Sequence, residues 1–376
     1  MKRYIILLFI LFPNILFSQK IVQQESKLAT DSLKAKFFFF EALRNKYQQN
    51  FEISYELLNR CIAIEKHNPD YYYELSIVSY NLGKKEAALK YAQVAYVGDS
   101  TNKYYAMQYA QVLSLLGKNL ESAFIYKKIV NSNSATIEDY LNLTYLYQRI
   151  GDFNSALAII DKAESLYGFQ DIISSLKIGI LTNLKRFGKA IIEAKQLVGI
   201  DSTNIRSKLV LYDTYLSAND IASAEHVLTN CYQIDSTNTL VLLNLSNFYL
   251  VTGHTDLYFQ YLHKLISANG NLEDIYQLVA KILSNGPFAS QFISDINSVI
   301  GQLKSIFGIV PLVSDLQSQV DILAGNYVSA INNLSNVVHS RWSSESNWER
   351  YLSLELQLQR HDSINYITDS LISVFT

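Results

Sequence analysis

The sequence predicts an all-α fold, a solenoid of antiparallel helix pairs stacked along the chain, and three observations carry that prediction. Gly83, Gly117, Gly151, Lys185, Asn219 and Gly253 follow one another at intervals of 34 residues. Five positions after each comes a small residue, Ala88, Ser122, Ala156, Ala190 and Ala224, with Tyr258 the exception. On both sides of each turn, apolar residues recur at helical spacing.

Each part of the unit has a physical reason. Gly and Asn suit the left-handed backbone that reverses the chain between two helices; Lys185 would be strained there, so its turn is expected to have a different shape. The small slot lets two helices approach closely. On the helix before the turn, Leu75, Tyr109, Leu143, Leu211 and Leu245 stand eight residues back, and Tyr147, Tyr215 and Tyr249 four back, on one face. On the helix after it, Ala92, Tyr126, Ile160, Ala194, Leu228 and Leu262 share one slot. Ala95, Ile129, Ala163, Leu197, Cys231 and Leu265 share another, three residues on. A DSTN segment recurs at Asp99, Asp201 and Asp235, where one helix ends and Ser, Thr or Asn caps the next.

Composition narrows the function. The 376 residues are 49% apolar, 12% aromatic and 18% charged, with 4 Pro and 14 Gly, so the chain can bury a large core. The formal charge is −2, which gives no means of neutralising a nucleic-acid backbone. Met1 to Gln19 read MKRYIILLFILFPNILFSQ: two basic residues, an apolar stretch broken by Pro13 and Asn14, and a small residue at Ser18. That is the grammar of a secretory signal, residues 1–18, with cleavage expected after Ser18. The stretch is short of the ~20 residues that span a bilayer, and no later segment reaches that length. The mature chain is expected in the periplasm or outside a Gram-negative cell, with no integral membrane segment.

A 34-residue helix-turn-helix unit with Leu and Tyr on its first helix and small residues on its second resembles the tetratricopeptide repeat. The family's inter-repeat Pro is missing from most units and appears as Pro69 and Pro311 at the start of a first helix, where Pro is tolerated. Its early aromatic survives as Tyr72, Tyr140 and Trp348. The resemblance implies a right-handed superhelix. Its register gives a lead-in over 19–34, seven repeats over 35–268, a degenerate helix pair over 269–310 around Asn285-Gly286-Pro287, and two further repeats over 311–376. A solenoid needs its last apolar face covered. The C-terminal helices are therefore expected to meet a partner or a second copy, unless the natural chain continues.

Chemistry-bearing motifs are sparse. Cys61 and Cys231 occupy equivalent slots five units apart, too far to bridge, and read as small buried hydrophobes. His254 and His263 stand nine residues apart, not at the i, i+4 spacing of a helical metal pair. No metal, cofactor or catalytic residue is expected. Asn142-Leu143-Thr144 is a formal glycosylation sequon, but it falls inside a helix. Asp-Ser/Thr pairs at Asp31, Asp99, Asp201, Asp235, Asp362 and Asp369 resemble an O-glycosylation signal and are equally explained by helix capping.

The resemblance further implies that residues ten, six and three before each turn face a concave groove. Among them Tyr73, Ile77, Tyr80, Met107, Leu141, Tyr145, Leu209 and Leu243 are the expected binding residues, and none of the three rows contains Lys or Arg. This departs from repeats that clamp a C-terminal carboxylate with basic residues. The expectation is a non-enzymatic exported scaffold that binds a protein or peptide segment in an apolar groove. A glycan-binding envelope protein, drawing on 27 Tyr, and the sensor part of a signalling protein are the alternatives.

Overall fold

The computed structural model describes residues 30–359, and no strand occurs among them. Two compact units divide the chain, Met1–Ala190 and Ile191–Thr376. The leader, residues 19–29, and the chain after 359, with Asp362 and Asp369, lie outside the described residues. No described helix is long and apolar enough to cross a membrane.

The first unit runs from α1 (30–47) through α2 (Phe51–Ile64), α3 (Pro69–Asn81), α4 (Lys85–Gly98), α5 (Lys103–Leu115), α6 (Asn119–Val130), α7 (Ile137–Ile150) and α8 (Phe153–Tyr167) to α9 (Asp171–Asn183). Consecutive helices pack against each other from α2 to α9, and α3 also touches α5, so helix pairs stack on helix pairs. The expected turn residues sit where the backbone turns left-handed. φ is 74° at Gly83 and 82° at Gly151, and the next amide donates to the carbonyl five residues back, Lys84 to Ser79 and Asp152 to Tyr147. Lys185 corrects the expectation made for it. Its φ is 55° and Arg186 donates to Leu181, so the turn keeps the common shape and the lysine carries the strain. Gln49, 34 residues before Gly83, has φ 62° and belongs to the same series.

The small slots do what their size suggests. Ala88, Ser122, Ala156 and Ala190 are fully buried, and the Ser122 hydroxyl donates to the Ala110 carbonyl of the facing helix at 2.7 Å. Ser54, two units earlier, donates to Ala42 in the same way. The DSTN segments act as caps. The Asn102 side chain accepts from the Tyr104 amide, and the Asp99 carboxylate accepts from the Thr101 amide and hydroxyl; Asp201 and Asp235 repeat this with Thr203 and Thr237.

The second unit continues with α10 (Phe187–Ile200), α11 (Ile205–Ser217), α12 (Ile221–Ile234), α13 (Thr239–Val251) and α14 (Thr255–Ser267). Then come α15 (Leu272–Leu283), the single-turn α16 (Gly286–Ala289) running into a 3-10 turn (Ser290–Phe292), α17 (Ile293–Phe307), α18 (Pro311–Leu323), α19 (Tyr327–Val338) and α20 (Glu345–Gln357). α15 packs on α13 and α18 while α17 packs on α14 and α18, so the stack persists where the sequence repeat lapses. Gly325, the left-handed glycine of the turn between α18 and α19, comes 72 residues after Gly253. That exceeds two 34-residue steps by four residues, the length of α16. Tyr258, the bulky occupant of the small slot, is fully buried and donates to the Leu278 carbonyl of α15 at 3.1 Å, reaching past its own pair to the next. Trp348 closes the last described core against Ala330, Ile331, Leu334 and Val337.

Candidate binding surface

In the first unit the expected residues fall on α3, α5 and α7, spaced so that they share one face of each helix. Tyr73, Ile77, Tyr80 and Met107 are half-buried. Tyr73 leans on Tyr105 with ring centroids 5.5 Å apart, and burial raises the pKa of its hydroxyl. Leu141 is buried and contributes packing, whereas Tyr145, one turn later on α7, is 46% exposed. In the second unit Leu209 is buried and Leu243 half-buried.

Tyr145 stands in a cleft of about 360 Å³ between α5, α6 and α7, lined also by Gln111, Ser114, Leu115, Tyr126, Asn142, Leu146 and Arg149. Of the eight expected residues only Tyr145 lines it. Gln111 and Ser114 come from the same rows, six and three residues before Gly117. Arg149 was missed because it stands two residues before the turn, a position outside the three rows. Its guanidinium donates to the Ser114 hydroxyl at 3.1 Å and brings to the cleft the cation that the rows lack. The cleft therefore offers an aromatic ring, an amide, a hydroxyl and one positive charge on an apolar floor. Such a set suits a peptide segment with a carbonyl or carboxylate near an apolar side chain.

Many tyrosines that could have served as stacking platforms are spent as internal struts. Tyr105 donates to Asp70 at 2.5 Å, Tyr71 to Glu65 at 2.7 Å, Tyr249 to Glu225 at 2.9 Å and Tyr276 to Asp315 at 2.6 Å. Burial, and then the carboxylate that accepts, raises the pKa of each of these hydroxyls. Tyr96 stacks on Tyr109, and Tyr249 on Tyr261.

The remaining candidates have structural roles. Cys61 and Cys231 are free thiols in buried slots. Burial pushes the Cys61 thiol up to about 11. His254 hydrogen-bonds Thr252 and His263 hydrogen-bonds Gln302. The sequon threonine, Thr144, is buried in α7 and donates to the Tyr140 carbonyl.

No family model matches the chain, and no curated protein sequence matches it. Several solved structures of helical-repeat proteins are similar to it at low identity. A tetratricopeptide repeat protein from Parabacteroides merdae is 14% identical, covering 65% of this chain and 97% of its own, with a TM-score of 0.47. The C-terminal part of a TPR repeat-containing protein from Cytophaga hutchinsonii is 13% identical over 83% of this chain and 98% of its own, with a TM-score of 0.42. YrrB, described as a TPR protein with an unusual peptide-binding site, is 15% identical over 49% of this chain and 95% of its own, with a TM-score of 0.40. The repeat length, the left-handed turns and the buried small slots define the chain as an all-helical repeat protein. Its 34-residue helix-turn-helix pairs resemble the tetratricopeptide repeat.

Proposed function

We propose that this chain is a non-enzymatic scaffold, exported after loss of residues 1–18, that binds a protein or peptide segment on the face carrying Tyr145. Its repeats run over 35–268, interrupted by the pair over 269–310 and resumed from 311. The observation that supports binding is the cleft between α5 and α7, which leaves a tyrosine ring open beside Arg149 and Ser114. Tyr73, Ile77, Tyr80 and Met107 extend this face along α3 and α5, and Leu243 offers a separate contact point in the second unit. Leu141 is buried in the first unit and Leu209 in the second, and each contributes packing there. Affinity comes mainly from apolar burial, with Arg149 fixing the orientation of the bound segment.

Peptide display against the purified chain tests this reading. Peptides enriched on the unmutated protein should share an apolar or aromatic anchor and lose most of their binding to Tyr145→Ala and to Arg149→Gln, both exposed changes that leave the helices intact. Peptides that bind both variants unchanged, or an absence of enrichment, would overturn it. Export is tested separately by fractionating the source cells and reading the N-terminus of the chain by mass spectrometry, where Gln19 is expected.

A further inference from the structure

The first helix of the stack exposes side chains at positions that every comparable helix buries. Twelve residues before the turn, Tyr71, Tyr105, Ile173 and Val241 are at most 5% exposed, while Phe37 in the same slot of α1 is 62% exposed. Five before the turn, Val78, Val112, Leu146, Ile180 and Phe248 are at most 4% exposed, while Arg44 of α1 is exposed. Leu33, Phe40 and Tyr47 join Phe37 along α1, and all four are more than 60% exposed. Their spacing of four, three and seven residues keeps them on one stripe, the spacing that seats one helix against another. Among the described residues this is an end face of the helix stack, built like an internal joint and met by no preceding helix pair.

We propose that this face is the dimerisation surface of the chain, occupied by α1 of a second copy running antiparallel about a twofold axis between Phe37 and Phe40. The charges along the stripe choose this occupant. Lys34 and Glu41 are seven residues apart and so flank the same edge of the stripe. In an antiparallel pair the same edges of two helices meet, which sets Lys34 of each copy against Glu41 of the other, twice by symmetry. Among the described residues Lys34 pairs with Asp31 at 3.6 Å and Glu41 with Arg44 at 2.7 Å, each one turn away on α1, pairs that an incoming partner can exchange at little cost. The chain just before α1 does not match the stripe: Gln19 to Ala29 hold three large apolar side chains, Ile21, Val22 and Leu28.

Sedimentation equilibrium of the chain as recovered from expressing cells, with its N-terminus read by mass spectrometry, tests the proposal. A dimer is expected, converted to monomer by Phe37→Glu with Phe40→Glu, exposed changes whose folding is checked by circular dichroism. Lys34→Glu alone and Glu41→Lys alone should each raise the dissociation constant by roughly two- to tenfold. The double exchange Lys34→Glu with Glu41→Lys should restore it, and the two single variants mixed should form a heterodimer in preference to either homodimer. A monomer at the highest soluble concentration would overturn the proposal, as would a dimer indifferent to Phe37 and Phe40 or charge variants that do not rescue each other. A stoichiometric complex with a different protein that the Phe37 and Phe40 changes abolish would overturn it too, since another chain would then own the face.

Discussion

The slot ten residues before the turn holds Tyr73 and Met107 in the first unit and Asp315 in the second, and the two solutions differ in what they leave to solvent. Tyr73 and Met107 are half-buried, resting on their neighbours with part of each side chain open. Asp315 is 2% exposed and fully engaged. One of its oxygens accepts from Asn347 at 2.8 Å and Arg350 at 2.6 Å, the other from Tyr276 at 2.6 Å and Gln319 at 2.9 Å. An apolar side chain in this slot can be shared between the stack and a ligand, because dispersion and burial are additive over its surface. A carboxylate in the same slot must be satisfied on all sides to be tolerated, so it ties α15, α18 and α20 together and has little left to offer. One slot thus provides surface at Tyr73 and Met107 and cohesion at Asp315.

The sharpest way to break that contrast is Asp315→Ala. It strands Arg350 and removes the acceptor of three further donors, and loss of one partner of a buried pair costs about 3–5 kcal/mol. Urea unfolding followed by circular dichroism should show an early transition, whereas Met107→Ala, with a half-open side chain, should cost only about 1–2 kcal/mol. Replacing the pair together, Asp315→Leu with Arg350→Met, should recover only the part that comes from the stranded guanidinium, since Tyr276, Gln319 and Asn347 still lack their acceptor. A single Asp315→Ala variant as stable as the Met107→Ala protein would mean that the network contributes no cohesion.

The turns allow the next comparison. Gly151 and Lys185 adopt the same left-handed backbone, at 82° and 55°, and only the lysine has a Cβ to strain. Lys185→Gly should therefore stabilise the chain by about 1 kcal/mol, and Gly151→Ala should destabilise it by a similar amount. Two midpoint shifts of the same sign would show that the common turn shape is not what sets these residues.

The periodic part of this structure was readable because period is a property of sequence. Gly83 to Gly253 and the small slots recur 34 residues apart and the DSTN caps at multiples of 34, so a repeated physical demand could be seen without coordinates. What could not be read was the use made of a slot. Leu141 and Tyr145 are both apolar residues on the groove rows of α7, yet one is covered and the other open, a difference set by the neighbouring helices and not by their own identity. Asp315 looks in sequence like any solvated carboxylate, because its four donors come from three different helices, α15, α18 and α20. Arg149 lay one position outside the rows. Lys185 broke the expected pattern because its neighbours impose the turn: the Schellman-type bond from Arg186 to Leu181 forms whatever the side chain, and the residue accepts the cost.

The smallest expected effect separates the tyrosine struts from the apolar packing around them. Tyr105 is held in its un-ionised form, first by burial and then by the hydrogen bond to Asp70, so its folded pKa lies above the ordinary phenol value. Its contribution to stability is fully present below a pH of about 10 and is lost as the pH rises beyond that. The carboxylates act at the other end. Glu65, held down chiefly by the Tyr71 hydroxyl, and Asp99 and Asp201, held down chiefly by the Thr101 and Thr203 hydroxyls, lie below their ordinary values; their contribution is present above a pH of about 4 and lost as the pH falls. The melting temperature should be flat through neutrality and fall at both ends. Tyr105→Phe keeps the ring and its contact with Tyr73 but removes the donor, which should cost about 1 kcal/mol at neutral pH and reduce the alkaline fall. Melting curves at pH 8 and pH 11, with tyrosinate absorbance followed in the same samples, measure both. An alkaline fall of equal size in Tyr105→Phe would show that the hydroxyl at this position adds nothing to the joint beyond the packing of its ring.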